Sequence, residues 1–151
     1  MSRPTDLNQP IVESLYCEAL VLADEVRAAF DLAPPRTEAE DLVRIALSVE
    51  GLRTTTRMMH VLAWLLNQRA YFAGELSEFQ LRRHGVLPPD RPSDPAQLAL
   101  LEPETAALIA ETEALHARIA RLDAAWREGF VVRPAAVHRL RERLGRALGT
   151  L

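Results

Sequence analysis

The sequence predicts an all-α protein, an expectation that depends on periodicity and composition. Apolar residues recur at spacings of three and four in four segments, and no segment alternates as a strand would. Alanine and leucine, both strong helix formers, supply 23 and 24 of the 151 residues. We therefore expect an antiparallel three-helix bundle running up, down and up, with a long central helix, a short helix after it and a short C-terminal helix.

The first helix is predicted over residues 10–30. Pro10 suits the first helical turn, and Asn8 is the better of two candidate caps before it. Pro34 and Pro35 end the segment. Its apolar seam comprises Val12, Leu15, Ala19, Leu22, Val26 and Ala29.

The central helix is predicted over residues 38–73. Thr37 and Glu40 match a capping box at its start, and Gly74 is a suitable residue just beyond its end. Such a helix would be about 54 Å long. A heptad-like seam, expected to face the other helices, comprises Leu42, Ile45, Val49, Leu52, Thr56, Met59, Ala63, Leu66, Ala70 and Ala73.

A short helix and then a proline-rich linker are predicted between the central helix and the third long helix. Ser77 and Gln80 match a second capping box for a short helix ending at Gly85, and the proline-rich residues 86–102 are predicted to be an extended or mobile linker. A third long helix should begin near Pro103 and stop at Gly129. Its seam comprises Leu101, Thr105, Leu108, Thr112, Leu115, Ile119, Leu122 and Trp126.

The C-terminal residues 133–151 are predicted to form an arginine-rich amphipathic tail after a bundle domain of residues 1–132. Pro134 would open a short helix that turns Val137, Leu140, Leu144 and Leu148 inward. Residues 130–151 carry five arginines and one glutamate, a charge that could attract nucleic acid or an acidic protein. No aromatic residue interleaves the arginines, so we favour an ordinary solvated helix face.

Composition excludes several classes of protein. All 18 basic residues are arginine, which removes lysine-dependent phosphate loops, Schiff-base enzymes and kinases. Cys17 is the only cysteine, so an intramolecular disulfide and a cysteine-based zinc site are excluded. The first residues lack an apolar signal region, and no run approaches the length of a membrane span. We expect a soluble, cytoplasmic protein that does not contact membranes.

The sequence offers one candidate for metal binding and no convincing catalytic group. Glu113 and His116 have the E-x-x-H spacing of di-iron carboxylate bundles, but such sites need a second pair and two further glutamates. Both residues lie beside the predicted seam, where a surface pair is the simpler interpretation. We therefore expect no catalytic residue, cofactor or metal, and a protein that is not an enzyme.

The middle of the central helix is apolar almost all round. From Met58 to Leu66 only His60 is polar, although a bundle helix should be polar opposite its seam. Two interpretations stay open for this flank: a third helix packs over it, or it is a dimer or partner surface. The candidate interaction residues are Arg53, Arg57, His60, Val61, Trp64, Asn67, Gln68 and Tyr71.

The same helix carries two unusual patterns. One is E-x-x-R-x-T-T-R-x-M, beginning at Glu50, and the other is A-W-L-L-x-Q-R-A, beginning at Ala63. In both patterns the chain resembles the RcdA family, the regulators of CtrA degradation found in alphaproteobacteria. The matched motif residues are Glu50, Arg53, Thr55, Thr56, Arg57, Ala63, Trp64, Gln68 and Arg69.

The resemblance implies an all-helical homodimer without enzymatic activity. Its founding member looks like an adaptor that helps to deliver cell-cycle substrates, including CtrA, to the ClpXP protease. It does so together with a phosphorylation-controlled response regulator and a cyclic-di-GMP effector protein. We accordingly expect a dimeric adaptor or scaffold for regulated proteolysis. The alternative is a small nucleic-acid-associated regulator that acts through the basic tail, although nucleic acid is the less favoured partner.

Overall fold

The computed structural model describes residues 7–31 and 38–148, except the side chains of residues 38–40, 129–139, 142 and 147–148. Within these ranges the chain forms five helices and no strand, which confirms the all-α class. No helix among the described residues is long and apolar enough to cross a membrane. The helices are α1 (Gln9–Phe30), α2 (Glu38–Phe72), α3 (Glu78–His84), α4 (Pro95–Leu98) and α5 (Pro103–Leu148).

Helix α1 has the start and the packing face that its sequence predicts. The Asn8 side chain accepts a hydrogen bond from the backbone N–H of Ile11 at 3.1 Å. The α1 seam is buried against α2 and α5 at Val12, Leu15, Ala19, Leu22 and Val26. In α1 the predicted seam is the buried face, although Leu20 and Val21 outside the seam are also apolar and exposed.

The ends of the central helices also follow the expected local chemistry. Gly74 has a φ of +78°, a conformation that costs other residues strain, just after the last residue of α2. The Ser77 hydroxyl and the Gln80 side chain make both bonds of a capping box at the start of α3. The predicted box of Thr37 and Glu40 lies outside the described residues and side chains.

The prediction for the packing face of α2 is wrong. Most of the predicted seam is exposed, including its large members Leu42, Ile45, Leu52, Met59 and Leu66. We call its residues Leu42, Ile45, Val49, Leu52, Thr56, Met59, Ala63 and Leu66 the apolar stripe. The opposite side of α2 is buried instead, and we call it the polar face. Its buried residues are Ala46, Glu50, Thr54, Arg57, Met58, Val61, Trp64, Leu65 and Gln68.

The direction of α5 also differs from the prediction. Arg57 contacts Thr112 and Trp64 contacts Asp123, so α5 runs in the same direction as α2. Helix α1 runs against both: Glu13 pairs with Arg69 near the end of α2, while Phe30 lies against Gly51. The expected up-down-up order is therefore incorrect for the last long helix.

Parallel α2 and α5 require a chain segment that returns along the length of α2. Residues 73–102, here called the connector, contain α3, an extended stretch and α4. Leu87 joins the main core, Asp90 reaches Arg57 and Asp94 reaches Glu50, so the connector runs backwards over the polar face. The extended interpretation of residues 86–102 is correct for its first part, and these contacts pack it on α2.

Helix α5 buries most of the face that its sequence predicts. Leu115 and Ile119 join α1 and α2 in the main core, and Leu101 packs with Ala46 and Ile109 in a second cluster. Three residues beside the predicted seam are also buried, namely Ile109, His116 and Asp123. The buried face is therefore wider than a heptad seam, because both α2 and the connector cover it.

Contrary to the prediction, α5 does not stop at Gly129. The helix passes through Gly129 and Pro134 to Leu148, without a break at the expected domain boundary. A glycine costs a helix interior about 1 kcal/mol and a proline about 3 kcal/mol, and α5 continues through both residues despite these costs. Leu140 and Leu144 are exposed and not turned inward, whereas the Val137 and Leu148 side chains lie outside the described set.

Candidate functional site

The most connected side chain of the polar face is that of Arg57, which is fully buried. Its Nε donates to both carboxylate oxygens of Asp90 at 2.9 Å. Its Nη1 donates to Thr112 Oγ1 at 2.9 Å, and its Nη2 donates to the carbonyl of Arg91 at 3.1 Å. One guanidinium thus joins α2, the connector and α5, a use that suits its fixed fork of donors.

The extended stretch of the connector depends on such side chains. Where this stretch lies against α2 and α5, its backbone groups have no helix or sheet partners and need side chains instead. His116 supplies one: its Nε2 lies 3.1 Å from the carbonyl oxygen of Pro88, to which it donates as the Nε2–H tautomer. Prolines 88, 89 and 92 favour the extended backbone and carry no N–H that would need a partner. The stretch is therefore held by α2 and α5 together.

Glu50 fixes the far end of the connector. Its buried carboxylate accepts from Arg53 Nη1 at 2.6 Å and from the backbone N–H of Asp94 at 3.2 Å. Asp94 in turn caps α4 by accepting from the N–H of Ala96 at 2.9 Å. Arg53 also donates to Gln97 Oε1 at 3.3 Å. We call Glu50, Arg53 and Arg57, with their connector partners, the connector clamp.

Trp64 anchors the other end of the polar face. Its indole N–H donates to the Asp123 carboxylate at 3.0 Å, and Arg127 donates to the same carboxylate from one turn later on α5. Arg127 Nη1 also donates to the carbonyl of Arg82, which fixes the end of α3. The indole thereby supplies a hydrogen-bond donor to a carboxylate that is buried between α2 and α5.

Arg69, the arginine of the second motif, ties α2 to α1. Its Nε donates to Glu13 at 2.9 Å, and its guanidinium carbon lies 4.3 Å from the centre of the Tyr16 ring. The hydrogen bond to Glu13 raises the pKa of Arg69 above its ordinary value. The pair is half exposed, so it contributes little to stability.

The predicted interaction residues divide into two groups. Arg57, Val61, Trp64 and Gln68 are buried within one chain, so they are not a free surface. For these four, the interpretation in which a helix packs over the flank is correct. Arg53, His60, Asn67 and Tyr71 are half-buried at its edge. The buried amide of Gln68 has no hydrogen-bond partner among the described groups.

The family motif divides in a similar way. Glu50, Arg57, Trp64 and Gln68 are buried, while Arg53 and Arg69 are half-buried in ion pairs. Thr55, Thr56 and Ala63 are exposed. Membership in the predicted seam indicates that Thr56 packs inside the bundle. The structure places it on the exposed apolar stripe instead. Most of the motif therefore holds the chain together, and its small residues lie on the surface.

Sequence reasoning missed the partners that α5 and the connector supply. Asp90, Thr112 and Asp123 bind Arg57 or Trp64, yet none stands in a recognisable motif. One signal was available: arginines on an almost wholly apolar helix need buried carboxylates elsewhere in the chain. That signal indicates that partners exist but does not identify them.

The Glu113 and His116 pair does not form the simple surface pair that was expected. His116 is buried and engaged with the Pro88 carbonyl, while Glu113 accepts from the Ser93 hydroxyl and lies 3.9 Å from Arg57 Nη2. Each residue therefore contacts the connector. Within the ranges that the structure describes, no three metal-ligating side chains cluster.

The apolar stripe is the other unusual surface. Its eight residues alternate spacings of three and four over 24 positions, which is the a and d pattern of a coiled coil. Leu52 and Thr56 also form one wall of a cleft of about 660 Å³ between α2 and the connector, with Arg53, His60 and Arg91 around it. Contiguous exposed apolar surface of this kind marks an interaction site in most stable proteins.

Comparison with known proteins identifies a family but not a characterised relative. No curated protein and no solved structure matches the chain. One family profile, DUF1465, described as a protein of unknown function, matches residues 4–148. Because that match covers almost the whole chain, the protein belongs to the DUF1465 family.

Proposed function

We propose that this protein is a non-enzymatic, dimeric adaptor or scaffold that assists regulated ClpXP proteolysis of cell-cycle or signalling regulators. DUF1465 is the family of RcdA-like proteins, which supports the comparison made from the motifs. The observation that carries the proposal is the apolar stripe, a coiled-coil pattern left exposed on a well-packed helix. Such a protein would work in the cytoplasm, where the protease acts.

The connector clamp supports this role. In the proposal, α1, α2 and α5 act as one three-helix core that presents the stripe. Arg57 and Glu50 bind the connector to the buried side of α2, so the opposite side is left uncovered on a rigid support. A preorganised surface loses less conformational entropy when it binds. The charged groups of the clamp are thus used for positioning and not for proton transfer.

Light scattering with size exclusion tests the dimer. The expected mass at micromolar concentration is twice that of the chain, whose own mass is 16.9 kDa. A mass of one chain throughout the micromolar range would remove the dimer from the proposal.

Capture by purified ClpX with its priming factors tests the adaptor role. The wild-type protein should be retained. Met59→Glu on the stripe should be retained less well than Phe79→Glu, which also places a carboxylate at an exposed apolar position, but on α3. Failure of wild type to associate would remove the adaptor role even where the dimer stands. Equal capture of both variants would show that the stripe is not involved.

Binding of nucleic acid is the second candidate. Helix α5 continues to Leu148 and exposes Arg141, Arg143 and Arg146 near its end. This hypothesis expects affinity that falls steeply as salt rises and that disappears when residues 133–151 are removed. A gel shift without a complex at low salt would eliminate it.

A further inference from the structure

The apolar stripe has a symmetry that a single helix does not need. Under a two-fold axis perpendicular to α2 at the level of position 54, Leu42 would face Leu66 and Ile45 would face Ala63 of a second copy. Under the same axis, Val49 would face Met59 and Leu52 would face Thr56. Each a position thus meets a d position, as in an antiparallel coiled coil. A closed dimer needs a surface that is complementary to itself in this way.

Side-chain size favours the antiparallel order over a parallel one. Ile45 would meet Ala63 and Leu52 would meet Thr56, so large residues face small ones. A parallel, in-register pair would place Ala63 against Ala63 and Thr56 against Thr56. Those two layers would be loosely packed, while the leucine and isoleucine layers would be crowded. The antiparallel layers are closer to constant in volume.

Charges beside the stripe are compatible with this pairing. No charged residue occupies the stripe over its length of about 36 Å. In the antiparallel register, Asp41 of one chain and Arg69 of the other would lie on the same flank of the stripe, where each also has an opposite charge in its own chain. The two Arg53 side chains meet near the axis, but each is already paired with its own Glu50. The two stripes can therefore meet without bringing together like charges that lack an opposite charge beside them.

We propose that the apolar stripe is covered by the stripe of a second copy, antiparallel and centred on position 54. This inference rests on the dimer of the proposed function and deepens it, because it names the face, the direction and the register. The connector clamp explains why the face is free: the connector and the other two helices all pack on the remaining sides of α2.

Crosslinking between single-cysteine variants tests the direction. In a Cys17→Ser background, Ile45→Cys and Ala63→Cys chains of different tag mass are mixed and treated with a short bismaleimide. The expected main product joins the two different variants. Products that join each variant mainly to itself would overturn the antiparallel order. Crosslinking no faster than that of Ala110→Cys, an exposed control on α5, would overturn the use of this face.

Substitution on the stripe tests the face independently. Leu52 and Phe79 are both 70% exposed in the single chain, so Leu52→Glu and Phe79→Glu should both fold with unchanged circular dichroism. Leu52→Glu should raise the dissociation constant of the dimer by about 30-fold or more, because it places two carboxylates near the axis. Phe79→Glu should leave it unchanged. A Leu52→Glu variant that still dimerises like wild type would overturn the inference.

The two levels of the proposal fail separately. A wild-type monomer at micromolar concentration removes the dimer and this interface together. A wild-type dimer that survives Leu52→Glu keeps the dimeric scaffold but removes this face. A Leu52→Glu monomer with normal ClpX capture keeps the interface and separates it from the adaptor surface.

Discussion

The two sides of α2 both depart from the usual pattern of a bundle helix, because polar residues are buried beside apolar ones on one side and an apolar stripe is exposed on the other. The polar face buries Glu50, Thr54, Arg57 and Gln68, whereas the stripe exposes leucine, isoleucine and methionine. The connector and α5 supply partners for Arg57 and Glu50, whereas Thr54 Oγ1 and the Gln68 amide have no hydrogen-bond partner among the described groups. Helix α1 shows the ordinary arrangement in the same chain, because its most regular apolar seam is the face that is buried.

The difference indicates two separate uses of one helix. Exchange of a buried ion pair for apolar residues is often neutral for stability, but a pair broken on one side is costly. We therefore infer that the polar face specifies where the connector lies, and that the stripe is kept apolar for another chain. Changes on each side should then have distinguishable effects.

The largest effect is expected on the polar face at Arg57. Arg57→Ala removes the partner of Asp90 and leaves a cavity where the buried side chain was. The free energy of unfolding should therefore fall by about 4 kcal/mol. Urea denaturation followed by circular dichroism measures it. The control is Arg44→Ala on the exposed side, whose ion pair with Asp41 should contribute less than about 0.5 kcal/mol. Similar losses for both would contradict the role of the connector clamp.

Adjacent leucines provide the next comparison. Leu65 is 0% exposed and Leu66 is 48% exposed, so the two side chains differ in face and not in chemistry. Leu65→Ala should cost about 3 kcal/mol of unfolding free energy, and Leu66→Ala less than about 0.5 kcal/mol in dilute solution. Thermal unfolding at two protein concentrations measures both. The Leu66→Ala effect should grow with concentration, because unfolding is linked to dissociation. Equal costs in dilute solution would contradict the assignment of faces.

A smaller effect is expected at the indole hydrogen bond. Trp64→Phe keeps most of the ring volume but removes the donor to Asp123, at a cost of about 1.5 kcal/mol. A double-mutant cycle with Asp123→Ala, which removes the acceptor, isolates the pair from the general packing loss. If the loss of stability in the double variant equals the sum of the two single losses, the hydrogen bond contributes no measurable interaction energy.

The smallest expected effect is local. Glu50→Gln weakens the acceptor of the Asp94 N–H, so that part of the connector should open at a free energy lower by about 1 kcal/mol. Hydrogen exchange at the Asp94 amide reports this opening. Glu104→Gln, an exposed change on α5, is the matched control. Unchanged exchange at Asp94 in the Glu50 variant would contradict the proposed anchoring.

The comparison also explains which expectations from the sequence are correct. The bounds of α1, the cap at Asn8, the length of α2 and the capping box at Ser77 follow from local chemistry, which a sequence displays directly. The apolar stripe was also identified correctly as a continuous seam. What failed was the assumption that the most regular seam faces the interior of its own chain.

The remaining failures have a common physical cause. The direction of α5 depends on pairs such as Arg57 with Thr112 and Trp64 with Asp123, which are more than 50 residues apart in sequence. Periodicity reports which side of a helix is apolar, but not which element covers it. The connector could be predicted as extended from its prolines, while its position on α2 required those distant partners.

The parallel arrangement of α2 and α5 has a consequence for the order of folding. Only seven residues of sequence separate α1 from α2, so the two helices can pair with little loss of chain entropy. Helix α5 can dock only after the connector has returned along α2, which brings together groups as distant as Glu18 and Arg118. We therefore expect the α1–α2 pair to form early and α5 to close the core late in folding, so that Arg57 gains its Thr112 partner only in that last step.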